Sequence, residues 1–168
     1  MSNTRGAGRK LRKALRIALA ALAALFLAAQ LIQPERENPP PDPALAVRAH
    51  VEVPAEVESI LRRACLDCHS YETRWPWYSR VAPASWLVAE HVRHGRTHLN
   101  FSHWPQWAHG TREDFQPQLE AICEQVSAGH MPLPSYLLVH RRAELSEEDV
   151  RRLCDWTRDQ RERLSRRR

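Results

Sequence analysis

Two cysteines and a histidine stand within five residues of this chain, in the order Cys65-Leu66-Asp67-Cys68-His69. Thiols at this spacing near a helix end can reach the two vinyl groups of one haem, while the adjacent histidine comes under the iron. A group of that size occupies the middle of a small domain, so the chain must fold around it. The pattern predicts one covalent c-type haem, bonded through Cys65 and Cys68 and ligated by His69.

The same cysteines are open to two other interpretations, zinc binding and thiol exchange. A pair at this spacing often holds zinc in the cytosol, and Cys123 with Cys154 could complete a four-cysteine site. In an exported chain, haem delivered by a periplasmic attachment system fits the oxidising compartment better than a reduced zinc cluster does. The choice therefore depends on where the domain resides.

The N-terminal segment bears on that location. Residues 1–16 hold six basic side chains and no acid, and residues 17–32 are apolar apart from Gln30. This order is typical of a signal peptide or a short membrane helix, and a poorly placed cleavage site favours an uncleaved anchor. Since basic residues stay on the cytoplasmic side, we expect a single-pass inner-membrane protein with its domain in the periplasm.

Composition divides the chain into four segments. Residues 1–33 form the cytoplasmic basic segment and the anchor or signal, 34–50 a proline-rich linker, 51–160 the haem-binding domain and 161–168 a basic tail. Outside residues 1–16 the chain carries 19 basic and 20 acidic side chains, which gives no footprint for nucleic acid. The linker prolines favour a stiff polyproline spacer.

Apolar residues that recur three and four positions apart predict four helices after the linker. The first starts near Pro54 and runs into Cys65, and the second ends at Gly95. The third stops at Gly129, and the fourth begins at an N-cap, Ser146. We expect an all-α, cytochrome c-like domain with long Trp/Pro-rich loops around a haem, preceded by one N-terminal membrane helix.

Iron in such a site usually has a sixth ligand, and Met131 is the one methionine besides the initiator. It lies far from His69 in the chain, beside Gly129 and Pro132, as a distal methionine commonly does. Prolines would stiffen that loop. Met131 is therefore the predicted second metal ligand, and a distal histidine or an open, water-bound site are the alternatives.

Other residues could line the haem. Clustered histidines could supply a distal imidazole or a second metal site, although surface histidines are the plainer interpretation. Indole rings could wall the macrocycle, and a guanidinium could pair with a propionate. These candidates are His91, His94, His98, His103, Trp75, Trp77, Trp86, Trp104, Trp107, Arg74, Arg80 and Arg96.

Cys123 and Cys154 each fall on the apolar face of a predicted helix. They could be two buried small hydrophobic side chains. In an oxidising compartment they could instead form a disulfide between the third and fourth helices. The distance between their Cα atoms decides between these alternatives.

Several longer motifs resemble those of the bacterial haem-binding domain family, exported or membrane-anchored monohaem proteins. The motifs are Cys65-x-x-Cys68-His69-Ser70, Thr73-Arg74-Trp75-Pro76-Trp77-Tyr78-Ser79, Ala82-Pro83-Ala84-Ser85-Trp86, His91-Val92-x-x-Gly95-Arg96 and Leu99-Asn100-Phe101-Ser102-x-Trp104. The resemblance spans about residues 50–160 and includes Met131-Pro132 and Tyr136. It implies haem attachment at Cys65, Cys68 and His69 with a sixth ligand at Met131, and it implies no reaction. The chain departs from the pattern at His140-Arg141 and in carrying Cys123 and Cys154.

Iron ligated by both His69 and Met131 has no vacant position for a substrate, which favours an electron carrier or redox subunit over an enzyme. The redox partner is not indicated by the sequence. A haem-based sensor or peroxide-handling enzyme is the alternative, if Met131 is absent from iron or leaves it and His130 or His103 acts as acid or base. A third hypothesis is that the haem only completes the core of a membrane-anchored partner domain.

Overall fold

The computed structural model describes residues 3–104 and 115–166, and every regular element in these ranges is helical. The all-α prediction is confirmed for this part of the chain. Short 3-10 turns occur at Val47–Ala49, Trp77–Arg80 and Arg141–Ala143. The helices are α1 (Asn3–Ala29), α2 (Ala55–Ala64), α3 (Leu66–His69), α4 (Ala84–His98), α5 (Phe115–Ser127), α6 (Pro134–Leu137) and α7 (Glu147–Arg166).

The structure confirms three of the predicted helix ends and contradicts one. Pro54 is the N-cap of α2, and Gly129 follows α5 with a φ of 68°, the left-handed conformation that ends many helices. Ser146 and Asp149 form a capping box at α7, with the Asp149 N–H donating to Ser146 Oγ at 3.1 Å. In contrast, α4 continues through Gly95 to His98. The prediction that this helix ends at Gly95 is wrong.

The chain forms two compact units. The first comprises Met1–Glu35 and Pro76–Ala89, and the second comprises Arg36–Trp75 and Glu90–Arg168.

In the first unit, side chains tie the 76–89 segment to the end of α1. The Gln30 amide donates to the Ala82 carbonyl oxygen at 3.2 Å and accepts from the Ala82 N–H at 2.9 Å. The Trp86 indole N–H donates to the Ile32 carbonyl oxygen at 2.7 Å. Both sets of contacts therefore hold 76–89 at the C-terminal end of this helix.

The predicted membrane-spanning helix has no support in the structure. Among residues 3–104 and 115–166, no helix combines the length and the apolar character needed to cross a bilayer. The apolar side chains of α1 are nonetheless exposed, among them Leu19, Leu22 and Leu25.

The second unit is built around a core shared by α2, α5 and α7. Leu61, Leu119 and Leu153 contribute one almost fully buried side chain from each helix. Trp104 is completely buried, and its ring stacks between Phe101 and Phe115 at centroid distances of 5.8 and 6.2 Å. Removal of this apolar surface from water is the main source of stability for the helices, which are short.

The core extends into the segment predicted as linker. Val47 is 5% exposed, and its N–H donates to the Phe101 carbonyl oxygen at 2.9 Å. The Trp104 N–H donates to the Leu45 carbonyl oxygen at 2.6 Å. The chain therefore contributes to the core of the second unit before residue 51, where the proline-rich stretch gives way to a buried valine.

A disulfide joins α5 to α7. Cys123 and Cys154 are bonded, with their Cα atoms 4.8 Å apart. Of the two alternatives for these cysteines, the cross-link is the one the structure adopts. It closes a loop with a sequence separation of 31 residues, which restricts the unfolded chain.

Replacing both Cys123 and Cys154 by serine should lower the free energy of unfolding by about 2–4 kcal/mol, because the unfolded chain regains the entropy of the open loop. Urea denaturation followed by circular dichroism measures the change. Ser127→Ala is the control, since the Ser127 hydroxyl lies 3.4 Å from the Cys154 sulfur and its removal leaves the cross-link intact. Equal stability of the double variant and the unreplaced protein would show that the cross-link contributes nothing.

Candidate functional site

The cysteine and histidine motif occupies a single helical turn after α2. The Cys65 N–H still bonds to the Leu61 carbonyl oxygen at 2.9 Å, so Cys65 is the last residue that α2 positions. The N–H groups of Cys68 and His69 both donate to the Cys65 carbonyl oxygen, at 3.1 and 2.9 Å. Local backbone bonding therefore brings the two thiols and the imidazole close together before any cofactor is bound.

Neither thiol of the motif is oxidised. Cys65 and Cys68 are free, and each is partly buried. Burial, and then the proximity of Cys68, raise the pKa of Cys65 to about 12, while burial and the Asp67 charge raise the pKa of Cys68 to about 11. Both side chains are thus protonated near neutral pH. The four-cysteine zinc interpretation is wrong for this structure, because Cys123 and Cys154 are bonded to each other.

The imidazole of His69 is oriented by a carbonyl group. Its Nδ1 lies 2.9 Å from the Leu99 carbonyl oxygen. Because a carbonyl can only accept, Nδ1 carries the proton and donates. Burial lowers the pKa of His69, which favours the neutral ring, although backbone hydrogen bonds to Leu99 and Gly95 oppose the shift. The neutral ring keeps a lone pair on Nε2, the form in which histidine binds iron.

Helix α4 packs directly on the motif at Gly95. A Cβ atom at this position would lie 2.7 Å from the Cys68 carbonyl oxygen and 3.3 Å from the Cys68 Cβ. Only glycine permits this approach without displacement of backbone. Gly95 therefore serves close packing, which explains why the helix passes through it instead of ending there.

Arg96, the next residue of α4, binds acceptors within the protein. Its guanidinium donates to the Ser70 carbonyl oxygen at 2.8 Å, to Thr73 Oγ1 at 2.9 Å and to the Glu37 carbonyl oxygen at 2.8 Å. Arg74 in turn pairs with Asp67 at 3.1 Å. The suggestion that Arg74 or Arg96 binds a propionate is not supported, since protein groups already occupy their donors.

Met131 lies in the turn between α5 and α6. Its N–H donates to the Gln125 carbonyl oxygen at 3.2 Å, and its side chain is partly buried. The side chain packs against the same hydrophobic core that Cys65 and Leu99 contact. Five residues later, Tyr136 donates a hydrogen bond of 2.8 Å to the carboxylate of Asp67, inside the cysteine motif. The two predicted ligand segments thus meet one core and are joined by this bond.

The remaining histidines are mostly at the surface. The rings of His94 and His98 lie in tilted contact with centroids 4.2 Å apart, and both residues are exposed, as are His103 and His130. Within the described ranges, no group of three or more His, Cys, Asp or Glu side chains is arranged to hold a metal ion. The histidine cluster therefore does not form the second metal site considered from sequence.

The described tryptophans differ in burial. Trp104 is in the core and Trp75 is partly buried, but Trp77 and Trp86 lie in the first unit and are 77% and 40% exposed. Trp107 falls outside the described residues. The indole nitrogen of Trp75 is buried and has no hydrogen-bond partner among the described residues. Such a donor suits an acceptor supplied by a ligand, for example a carboxylate.

The side chains of the motif and the groups around them fit a c-type haem. The motif offers two protonated thiols for thioether bonds and one neutral imidazole for iron. Trp75 offers a buried N–H for the periphery of the ligand. Sequence reasoning missed the roles of Asp67, Gly95 and Leu99, because nothing in a linear pattern shows which backbone carbonyl or carboxylate lies beside the motif.

The comparison with known families gives one match. The family described as "Haem-binding domain" matches residues 24–159. No curated protein and no solved structure matches the chain.

Gly95→Ala should destabilise the protein by about 1–3 kcal/mol and lower haem loading, because the new methyl group forces α4 away from Cys68. Thermal unfolding and the haem-to-protein absorbance ratio measure the two effects. Gly129→Ala is the matched control. It introduces strain at a positive φ but meets no atom within 4 Å, so it should leave haem loading unchanged. Full loading of Gly95→Ala would contradict the importance of this approach.

Proposed function

Since this chain belongs to the haem-binding domain family, we propose that it binds one haem covalently, through Cys65 and Cys68, and transfers electrons outside the cytoplasm. His69 supplies the proximal ligand and Met131 the distal one. The haem, when bound, supplies a one-electron iron couple. The function is then that of a monohaem electron carrier or redox subunit.

The observation that carries the proposal is the hydrogen bond from His69 Nδ1 to the Leu99 carbonyl oxygen. It holds a neutral imidazole in one orientation beside two protonated thiols. A second hydrogen bond, from the Phe101 N–H to the His69 carbonyl oxygen at 2.8 Å, fixes the backbone of the same residue. A ligand held from both sides keeps its tautomer and its orientation, as a proximal iron ligand requires.

Assignment of Met131 as the distal ligand is supported by its place in the second unit. Its partly buried side chain packs against the same hydrophobic core as Cys65 and Leu99 do. His103 and His130, the acid or base candidates of the sensor or enzyme hypothesis, are exposed. A thioether bound to iron closes the sixth position, and a closed position suits a carrier.

Export from the cytoplasm is supported by the disulfide between Cys123 and Cys154. Such cross-links persist in oxidising compartments, where covalent haem attachment also takes place. A disulfide is therefore consistent with the periplasmic location that we propose from the sequence. Retention by the N-terminal segment is a proposal from the sequence alone, and carbonate extraction of membranes tests it.

The double variant Cys65→Ala/Cys68→Ala should lose all covalent haem, because no thiol remains to form a thioether bond. Peroxidase-activity staining of a denaturing gel detects haem that stays attached to the chain. Met131→Ala is the control, since removal of an axial ligand leaves both attachment points in place and staining should persist. Covalent haem in the double variant would refute attachment at these cysteines.

The optical spectrum tests the ligands. The ferric protein should show a weak absorption band at the red edge that is typical of methionine bound to iron, and the ferrous protein should not bind carbon monoxide readily. Met131→Ala should abolish the band and permit rapid carbon monoxide binding. Rapid binding by the unreplaced protein would instead favour the sensor or enzyme hypothesis.

A further inference from the structure

Asp67 lies between the two motif cysteines, and its side chain is only 16% exposed. The carboxylate accepts the Tyr136 hydroxyl at 2.8 Å and two guanidinium N–H groups of Arg74 at 3.1 and 3.2 Å. The backbone N–H of Arg74 also donates to it at 3.2 Å. Arg74 therefore fixes the orientation in which Asp67 faces Tyr136.

Tyr136 belongs to a segment that is weakly held otherwise. Helix α6 has only four residues and buries none of them, and the next residues, Leu138 and Val139, are 75% and 63% exposed. Little apolar burial therefore secures the chain between Met131 and Val139. A hydrogen bond to a charged, partly buried carboxylate is among the stronger polar contacts, and this one reaches the haem-attachment turn itself.

We propose that Tyr136 and Asp67 form a positioning pair that holds the Met131 segment against the haem-attachment turn and thereby keeps added ligands off the iron. The proposal rests on the proposed function, in which Met131 is the distal ligand. Tyr136 acts through Met131 and does not itself bind the haem. The pair controls the fraction of molecules in which the thioether has left the iron.

The measurable consequence is a change in apparent affinity for an added ligand. Imidazole can bind only to molecules whose sixth position is open, so its apparent affinity is proportional to that fraction. Loss of a hydrogen bond to a carboxylate should raise the open fraction about tenfold, which corresponds to ~1.4 kcal/mol. Tyr136→Phe removes only the hydroxyl and should bind imidazole about ten times more tightly than the unreplaced ferric protein.

The experiment is an imidazole titration of four full-length ferric haem proteins, followed at the red-edge band and the main haem band. They are the unreplaced protein, Met131→Ala, Tyr136→Phe and Ser146→Ala. Met131→Ala defines the fully open state. Ser146→Ala breaks the capping box of α7, so it lowers stability while it leaves the hydrogen bond between Tyr136 and Asp67 in place. Urea midpoints are measured for all four.

Tighter imidazole binding by Tyr136→Phe, with unchanged binding by Ser146→Ala, is the expected result. Equal affinity of Tyr136→Phe and the unreplaced protein would overturn the positioning pair. An equal rise in imidazole affinity in Tyr136→Phe and Ser146→Ala would overturn it too, because such a rise reflects only global destabilisation. If Met131→Ala binds imidazole no better than the unreplaced protein, the distal ligand of the proposed function is wrong instead. The two failures are therefore distinguishable.

Discussion

The candidate site depends on one packing contact. Helix α4 and the residues that follow it lie against the turn that carries Cys65, Cys68 and His69. Gly95 allows the helix backbone to reach the Cys68 carbonyl group, and four residues later the Leu99 carbonyl oxygen accepts the His69 Nδ1–H. A larger side chain at position 95 would separate the two elements. The Leu99 carbonyl oxygen determines which nitrogen of His69 carries the proton. Leu99 reaches His69 because α4 packs closely on the motif at Gly95.

A second constraint is the way in which the segment that contains Met131 is attached to the core. The disulfide joins α5 to α7 within the core, α5 ends before Gly129, and Met131 follows in the next turn. Between Met131 and Val139 the chain fully buries no apolar side chain, and polar contacts hold this segment. Arg63 supports its far end through the Arg142 and Glu144 carbonyl oxygens, at 3.0 and 2.8 Å. A rigid core therefore presents a loop whose position depends on hydrogen bonds.

Much of the helical pattern was predictable because it depends on local chemistry. Apolar spacing placed α2, α5 and α7, and Ser146 with Asp149 marked the start of α7. Gly95 misled the prediction, since glycine favours a helix end when only neighbours in sequence are considered. The burial of the tryptophans was not readable from their clustering in the sequence, since Trp77 is exposed and Trp104 is buried.

The sequence by itself indicated the donor set of the proposed site, since Cys65, Cys68 and His69 are spaced so that they fall on one turn of a helix. It also indicated the family, through motifs that begin at the two cysteines and reach Tyr136, and the match over residues 24–159 shows that family. Only the tertiary structure decided that Cys123 bonds to Cys154, that Leu99 orients His69 and that Tyr136 reaches Asp67. Each of these pairs joins residues at least 30 positions apart, and contacts over such distances depend on how helices pack, which local patterns do not encode.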